Sequence, residues 1–174
     1  MTGWSGELMA AVIVGLLLCA AWTDVATRVI PNSVPAALAL VGLAVRSFAG
    51  FSAMAVSAAL ALLLFVLLAL AHSRGMMGGG DVKLAAATAI GLPAESIYHL
   101  IVYTALAGGV LACLHLALRF GLRRSQPHAP RRGASLIQRV VSAERWRIAR
   151  HGSLPYGVAI ACGGIWAVLT ARGG

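Results

Sequence analysis

Asp24 and Asp81 are the only aspartates in the chain, and each stands where a long apolar run meets a break bearing glycine, proline or arginine. A carboxylate at the rim of a lipid-embedded segment is costly and marks a functional position by default. Two carboxyl groups held close together cannot both ionise easily, so one keeps a proton while the other is free to accept one. That is the equipment of a general acid and a general base acting on water. The two residues are far apart in sequence, so the intervening elements must bring them together.

Those elements are apolar helices. The 174 residues are 60% hydrophobic and 11% charged, with a mean hydropathy of +0.87, whereas roughly a quarter of a soluble domain is charged. A membrane-spanning helix needs about 20 mostly apolar residues. Apolar stretches at 7–22, 33–48, 53–71, 82–92, 97–118 and 154–169 predict six spans. The expected fold is therefore all-α, a polytopic membrane helix bundle of about six transmembrane helices, forming a single membrane-embedded domain over residues 1–174. The fourth stretch is short and alanine-rich, so it needs its neighbours to enclose it. No Lys or Arg precedes Arg28, and the basic start of a cleavable secretory signal is missing.

Positive charge orients the bundle. Nine of the fourteen Lys and Arg residues fall between Arg119 and Arg150, which predicts a basic cytoplasmic loop at about 119–153. Threading the spans backwards puts Arg28, Arg74 and Lys83 at the same face, with Arg46 and Arg172 outside. Asp24 then closes the first span and Asp81 opens the fourth, both at the cytoplasmic side. A packing of the first span on the fourth would pair them.

The first acid lies in DVATRVIPN, residues 24–32. Pro31 lacks an N–H and biases Ile30 away from helix, so the chain turns here, and Asn32 or Ser33 is placed to cap the second span. An acid in the last turn of a helix faces the negative end of the macrodipole, so Asp24 needs some other stabilising partner. The second acid follows the glycine run of RGMMGGGDVKL, residues 74–84. Each glycine costs about 1 kcal/mol in a helix relative to alanine. Non-helical backbone at membrane depth survives only against protein or a wet cavity, which predicts a pocket near Asp81. Asp81 is also well placed as a helix cap, and Lys83 as a snorkelling interfacial lysine.

Other chemistries fit less well. The glycine run lacks the GK[ST] ending of a phosphate-binding loop. Cys19, Cys113 and Cys162 are isolated in apolar runs and are expected to be packing residues, and the five histidines show no metal-ligand spacing. Neither a metal nor another cofactor is expected, and no nucleic-acid partner. Within the basic loop, Leu136, Ile137, Val140, Val141 and Ile148 fall on one helical side, consistent with an interfacial helix on anionic lipid or with an irregular topology-setting loop.

Taken together, residues 24–32 resemble the D-x5-[IL]-P-N segment of bacterial type IV prepilin peptidases, and Gly78-Gly79-Gly80-Asp81 is similar to the GxGD signature of those intramembrane aspartic proteases. LPYGVAIACGG, 154–164, resembles the family's PYG segment at the start of the last span. The compact length is most similar to the Flp/Tad branch, CpaA- or TadV-like. The resemblance implies an aspartic endopeptidase that cuts the N-terminal leader of a prepilin or pseudopilin at the cytoplasmic face of the bacterial inner membrane. It assigns catalysis to Asp24 and Asp81, and substrate binding or site shaping to Gly78, Gly80, Lys83, Pro31 and Asn32. Larger members resembling this family carry a cysteine-bearing insertion and also methylate the new N-terminus; without that cluster, peptidase activity alone is expected. The dipole of each residue's own helix makes Asp81 the easier acid to ionise and Asp24 the proton holder.

Two further classes use similar features. A small proton-coupled transporter also needs intramembrane carboxylates, but no inverted repeat is evident and both acids sit at one face. A structural subunit of a pilus or secretion assembly needs the spans but not Asp24. Cysteines placed within 119–150 should be labelled only after the membrane is opened. Labelling from outside intact cells would place the basic loop, and with it both carboxylates, on the other face.

Overall fold

The computed structural model describes residues 3–122, 135–149 and 154–173. Among these the chain forms seven α-helices: α1 (Gly3–Thr27), α2 (Ser33–Ser47), α3 (Phe51–Ser73), α4 (Gly79–Ile90), α5 (Ala94–Leu122), α6 (Leu136–Ala149) and α7 (Tyr156–Gly173). All but α6 correspond in order to the six apolar stretches. Three of them, α1, α3 and α5, are long and apolar enough to cross a membrane, while α2 and α7 are shorter apolar helices.

Helix α4 is the exception among the six. Its 12 residues rise only about 18 Å, less than a bilayer core of about 30 Å. Its neighbours shelter it instead. Helix α4 packs on α2, α3 and α7, and Val82, Leu84, Ala85, Ala86, Ala87 and Ala89 are all buried. In lipid there is no hydrophobic gain from bringing helices together, so close van der Waals packing of small side chains must supply it. The alanines provide that closeness. At the far end, a Cβ on Gly42 of α2 would stand 2.8 Å from the Gly91 nitrogen just past α4, a separation that only glycine permits.

A polar lock fixes the same end. Ser57 of α3, 1% exposed, donates through Oγ to the Leu92 carbonyl at 2.8 Å and accepts from Arg46 Nε–H at 3.0 Å. A buried hydroxyl without such partners would cost about 1–3 kcal/mol. With the outer end of α4 held there, its glycine-bearing start is presented to the opposite end of the bundle.

The basic segment contains a helix as one of the two expected alternatives. Helix α6 packs on α1 and α5, with Leu136, Ile137, Val141 and Trp146 exposed. The side chain of Ile148, expected on that face, lies outside the described residues. One sequence-based expectation fails: Cys19, Cys113 and Cys162 are exposed on the bundle rather than packed within it. In a bundle facing lipid an apolar surface position costs a thiol little, so burial is not required of it.

Candidate active site

Asp24 and Asp81 line one cavity of about 780 Å³. Its walls come from α1 and the turn after it (Asp24, Arg28), from α3 (Leu68, Ala71), from the link between α3 and α4 (Gly75, Met76, Met77, Gly78), from Asp81, and from the approach to α7 (Leu154, Tyr156). The expected pocket beside the glycine run is therefore present, although Gly79 and Gly80 already belong to α4 and only Gly75 of the four glycines has a left-handed φ, 72°. His72 closes that link, its Nδ1 lying 2.8 Å from the Met77 carbonyl oxygen.

Asp81 occupies the third position of α4, whose N-cap is Gly78. Its carboxylate reaches back to accept a backbone hydrogen bond from Gly78, one half of a capping box. A side chain on Gly78 would be driven into Asp81, its Cβ 2.8 Å from Oδ2. Asp81 is thus a cap, and also a titratable wall of the cavity. It stands at the start of α4, outside the helices that qualify as spans. Burial raises its pKa above the ordinary carboxylate value, the negative charge of Asp24 adds to the rise, and the Gly78 hydrogen bond and the Arg28 cation oppose it.

Asp24 obtains the partner that its own helix cannot provide. It is 7% exposed and accepts a hydrogen bond of 2.8 Å from the Gly157 backbone N–H. Gly157 is the second residue of α7, and the first N–H groups of a helix have no partner within it. Asp24 therefore sits at the positive end of a second helix, a position suited to an anion. The PYG segment explains the fit: Pro155 precedes the helix, Tyr156 lines the cavity, and a Cβ on Gly157 would lie 2.8 Å from Asp24 Oδ2 and 3.1 Å from its Cγ.

The remaining sequence candidates divide. Gly78 lines the carboxylate cavity. Gly80 lies against Ile30, 3.3 Å from where its Cβ would stand, so it seats the start of α4 on the IPN turn. Asn32 is the N-cap of α2 without a side-chain cap bond; its Oδ1 instead accepts from Lys83 Nζ at 2.9 Å. That pair borders a second, apolar cavity of about 580 Å³ between α2, α3 and α4. Pro31 supplies the turn, its carbonyl accepting from Val34 N–H at 3.1 Å, and lines neither cavity. Asn32 and Lys83 thus tie α4 to the turn that Pro31 supplies after α1. Arg28, Tyr156 and Gly157 complete the acidic site; the only sequence signals for them are the basic residue within DVATRVIPN and the PYG segment. Among the described residues no three His, Cys, Asp or Glu side chains gather as metal ligands.

The two acids thus share one cavity, and comparison with known families places the chain among peptidases. Residues 11–113, more than half of the chain, match the model of the type IV leader peptidase family. The chain belongs to that family. No curated protein and no solved structure matches it.

Gly157→Ala tests the placement of Asp24. Alanine is the better helix former, so α7 should persist, while the added Cβ displaces the carboxylate. Misplacing a catalytic group by about 1 Å costs roughly 100-fold, and turnover should fall by that order at unchanged membrane abundance. Near wild-type turnover would mean that α7 does not fix Asp24.

Proposed function

We propose that this chain is an aspartic-type endopeptidase, a single membrane-embedded unit that removes the leader of a prepilin or pseudopilin at the cytoplasmic face of the bacterial inner membrane. The observation that carries the reading is the shared cavity. Asp24 and Asp81 come from helices separated by two intervening ones, yet they line the same wall space, close enough for the charge of Asp24 to act on Asp81.

The surroundings support a division of labour opposite to the one expected from each residue's own helix. Asp24, on the N-terminus of α7, is the ionised member. Asp81, whose proton is held by burial and by the charge of Asp24, is the acid. Asp24 takes a proton from a water as its oxygen attacks the scissile carbonyl carbon. Asp81 gives its proton to the developing oxyanion, and the tetrahedral centre then collapses, one of its hydroxyls returning a proton to Asp81, with breakage of the C–N bond and protonation of the leaving amine. The proton now on Asp24 serves that last step. Neither a metal nor a covalent intermediate enters the sequence.

The cavity walls suit a peptide. Leu68, Ala71, Met76, Met77 and Leu154 offer apolar contact beside the two acids, and flexible methionines accommodate varied side chains. The exposed face of α6 fits contact with membrane lipid.

Asp24→Asn and Asp81→Asn should each abolish prepilin cleavage, by at least about 1,000-fold, in a protein that still inserts. Asparagine keeps the shape and retains capping ability, but it does not exchange the required proton. The double variant should be no worse than either single one, because residues acting as one unit are strongly non-additive. The assay is processing of a coexpressed prepilin, read beside membrane abundance. Normal processing by either variant at normal abundance would return that aspartate to a structural role.

A further inference from the structure

Arg28 closes α1 with φ of 59°, a left-handed backbone conformation that glycine adopts freely and a residue with a Cβ adopts at a cost. Glycine is the usual residue at such a helix end. Its absence here points to a side chain needed at this place. That side chain lines the cavity of Asp24 and Asp81 and is 14% exposed.

The guanidinium is paired on one side only. Nη2 donates to the carboxylate of Glu144 on α6, whereas Nε and Nη1 are enclosed and have no hydrogen-bond partner among the described residues. Buried donors of a charged group are normally satisfied, and unsatisfied ones call for a ligand. The same side chain lines the cavity that a peptide would enter. A basic side chain of a leader would be repelled by Arg28, and an acidic one by Asp24 and Asp81. A backbone carbonyl oxygen is the acceptor that every peptide brings.

We propose that Arg28 is a substrate-binding residue of the leader peptidase, its Nε–H and Nη1–H donating to a backbone carbonyl of the peptide in the cavity, and that Glu144 is the residue that positions its guanidinium. The inference rests on the peptidase reading above. It gives the basic segment a part in the site: α6 packs on α1 and α5 and engages Nη2 of Arg28 through Glu144, leaving Nε and Nη1 for substrate.

Full-length detergent-solubilised protein and a fluorogenic peptide spanning a prepilin cleavage site test this by steady-state kinetics. Loss of hydrogen bonds from a charged donor corresponds to roughly 10- to 100-fold. Arg28→Gln should lower kcat/KM by that much, the larger share in KM. Arg28→Lys keeps the charge but loses the planar fork and should leave KM raised. Glu144→Ala should raise KM by a smaller factor with kcat preserved, and adding it to Arg28→Gln should change nothing more. An unchanged KM in Arg28→Gln, full recovery in Arg28→Lys, or additive effects of the two substitutions would each overturn the proposal. Should Arg28→Gln fail to accumulate, Arg28→Lys and Glu144→Ala decide by the same criteria. Wild-type protein that cleaves while these variants match it sinks Arg28 alone; wild-type protein that never cleaves sinks the peptidase reading as well.

Discussion

The hydrogen bond from Gly157 N–H to Asp24 is the contact on which the site depends. A carboxylate buried at the edge of an apolar bundle lacks the water that would solvate it, and the negative end of its own helix makes matters worse. The start of α7 replaces that water with an oriented backbone donor. Because the donor is backbone, the start of α7 fixes its direction; because the donor residue is glycine, the acid is able to approach within 2.8 Å. The bond also fixes where α1 and α7 meet, so packing and chemistry share one contact.

Around that contact the bundle solves the reverse problem for Asp81. Helix α4 is too short to cross lipid by itself, and it is buried among α2, α3 and α7, with Asp81 at its start lining the cavity. Asp81 caps that start through Gly78, and burial with the charge of Asp24 raises its pKa to about 6. The outer lock at Ser57 and Leu92, together with the Asn32 to Lys83 hydrogen bond, sets the height and azimuth of α4. A one-turn shift of α4 would move Asp81 by about 5.4 Å and end the pairing.

Much of this architecture is legible in the sequence, because hydropathy alone dictates where a chain must be helical in lipid. The stretches 33–48 and 53–71 end within two residues of α2 and α3, and the alanines of 82–92 already announce a helix enclosed by others. The charge-derived orientation permits the two acids to meet, and they line one cavity. What the sequence hides are contacts between elements far apart along the chain: Asp24 with Gly157, 133 positions away; Arg28 with Glu144, 116 away; Asn32 with Lys83, 51 away. Local rules made Asn32 a side-chain cap and Asp24 the proton holder. Asn32 instead accepts from Lys83, and Asp24 gains a backbone donor from α7, tertiary partners that no local window contains.

The central claim is that two coupled carboxyls share one proton in one cavity, and the composition of the chain offers a direct measurement. Asp24 and Asp81 are its only aspartates, so carboxyl carbon-13 labelling of aspartate reports on the site alone. A pH titration followed by NMR should show one carboxyl still protonated well above the ordinary aspartate value of about 4, and Asn at position 24 should lower that pKa without bringing it fully to the ordinary value. Two aspartates that titrate independently in the ordinary range, with Asp81 indifferent to the Asp24→Asn change, would contradict the account.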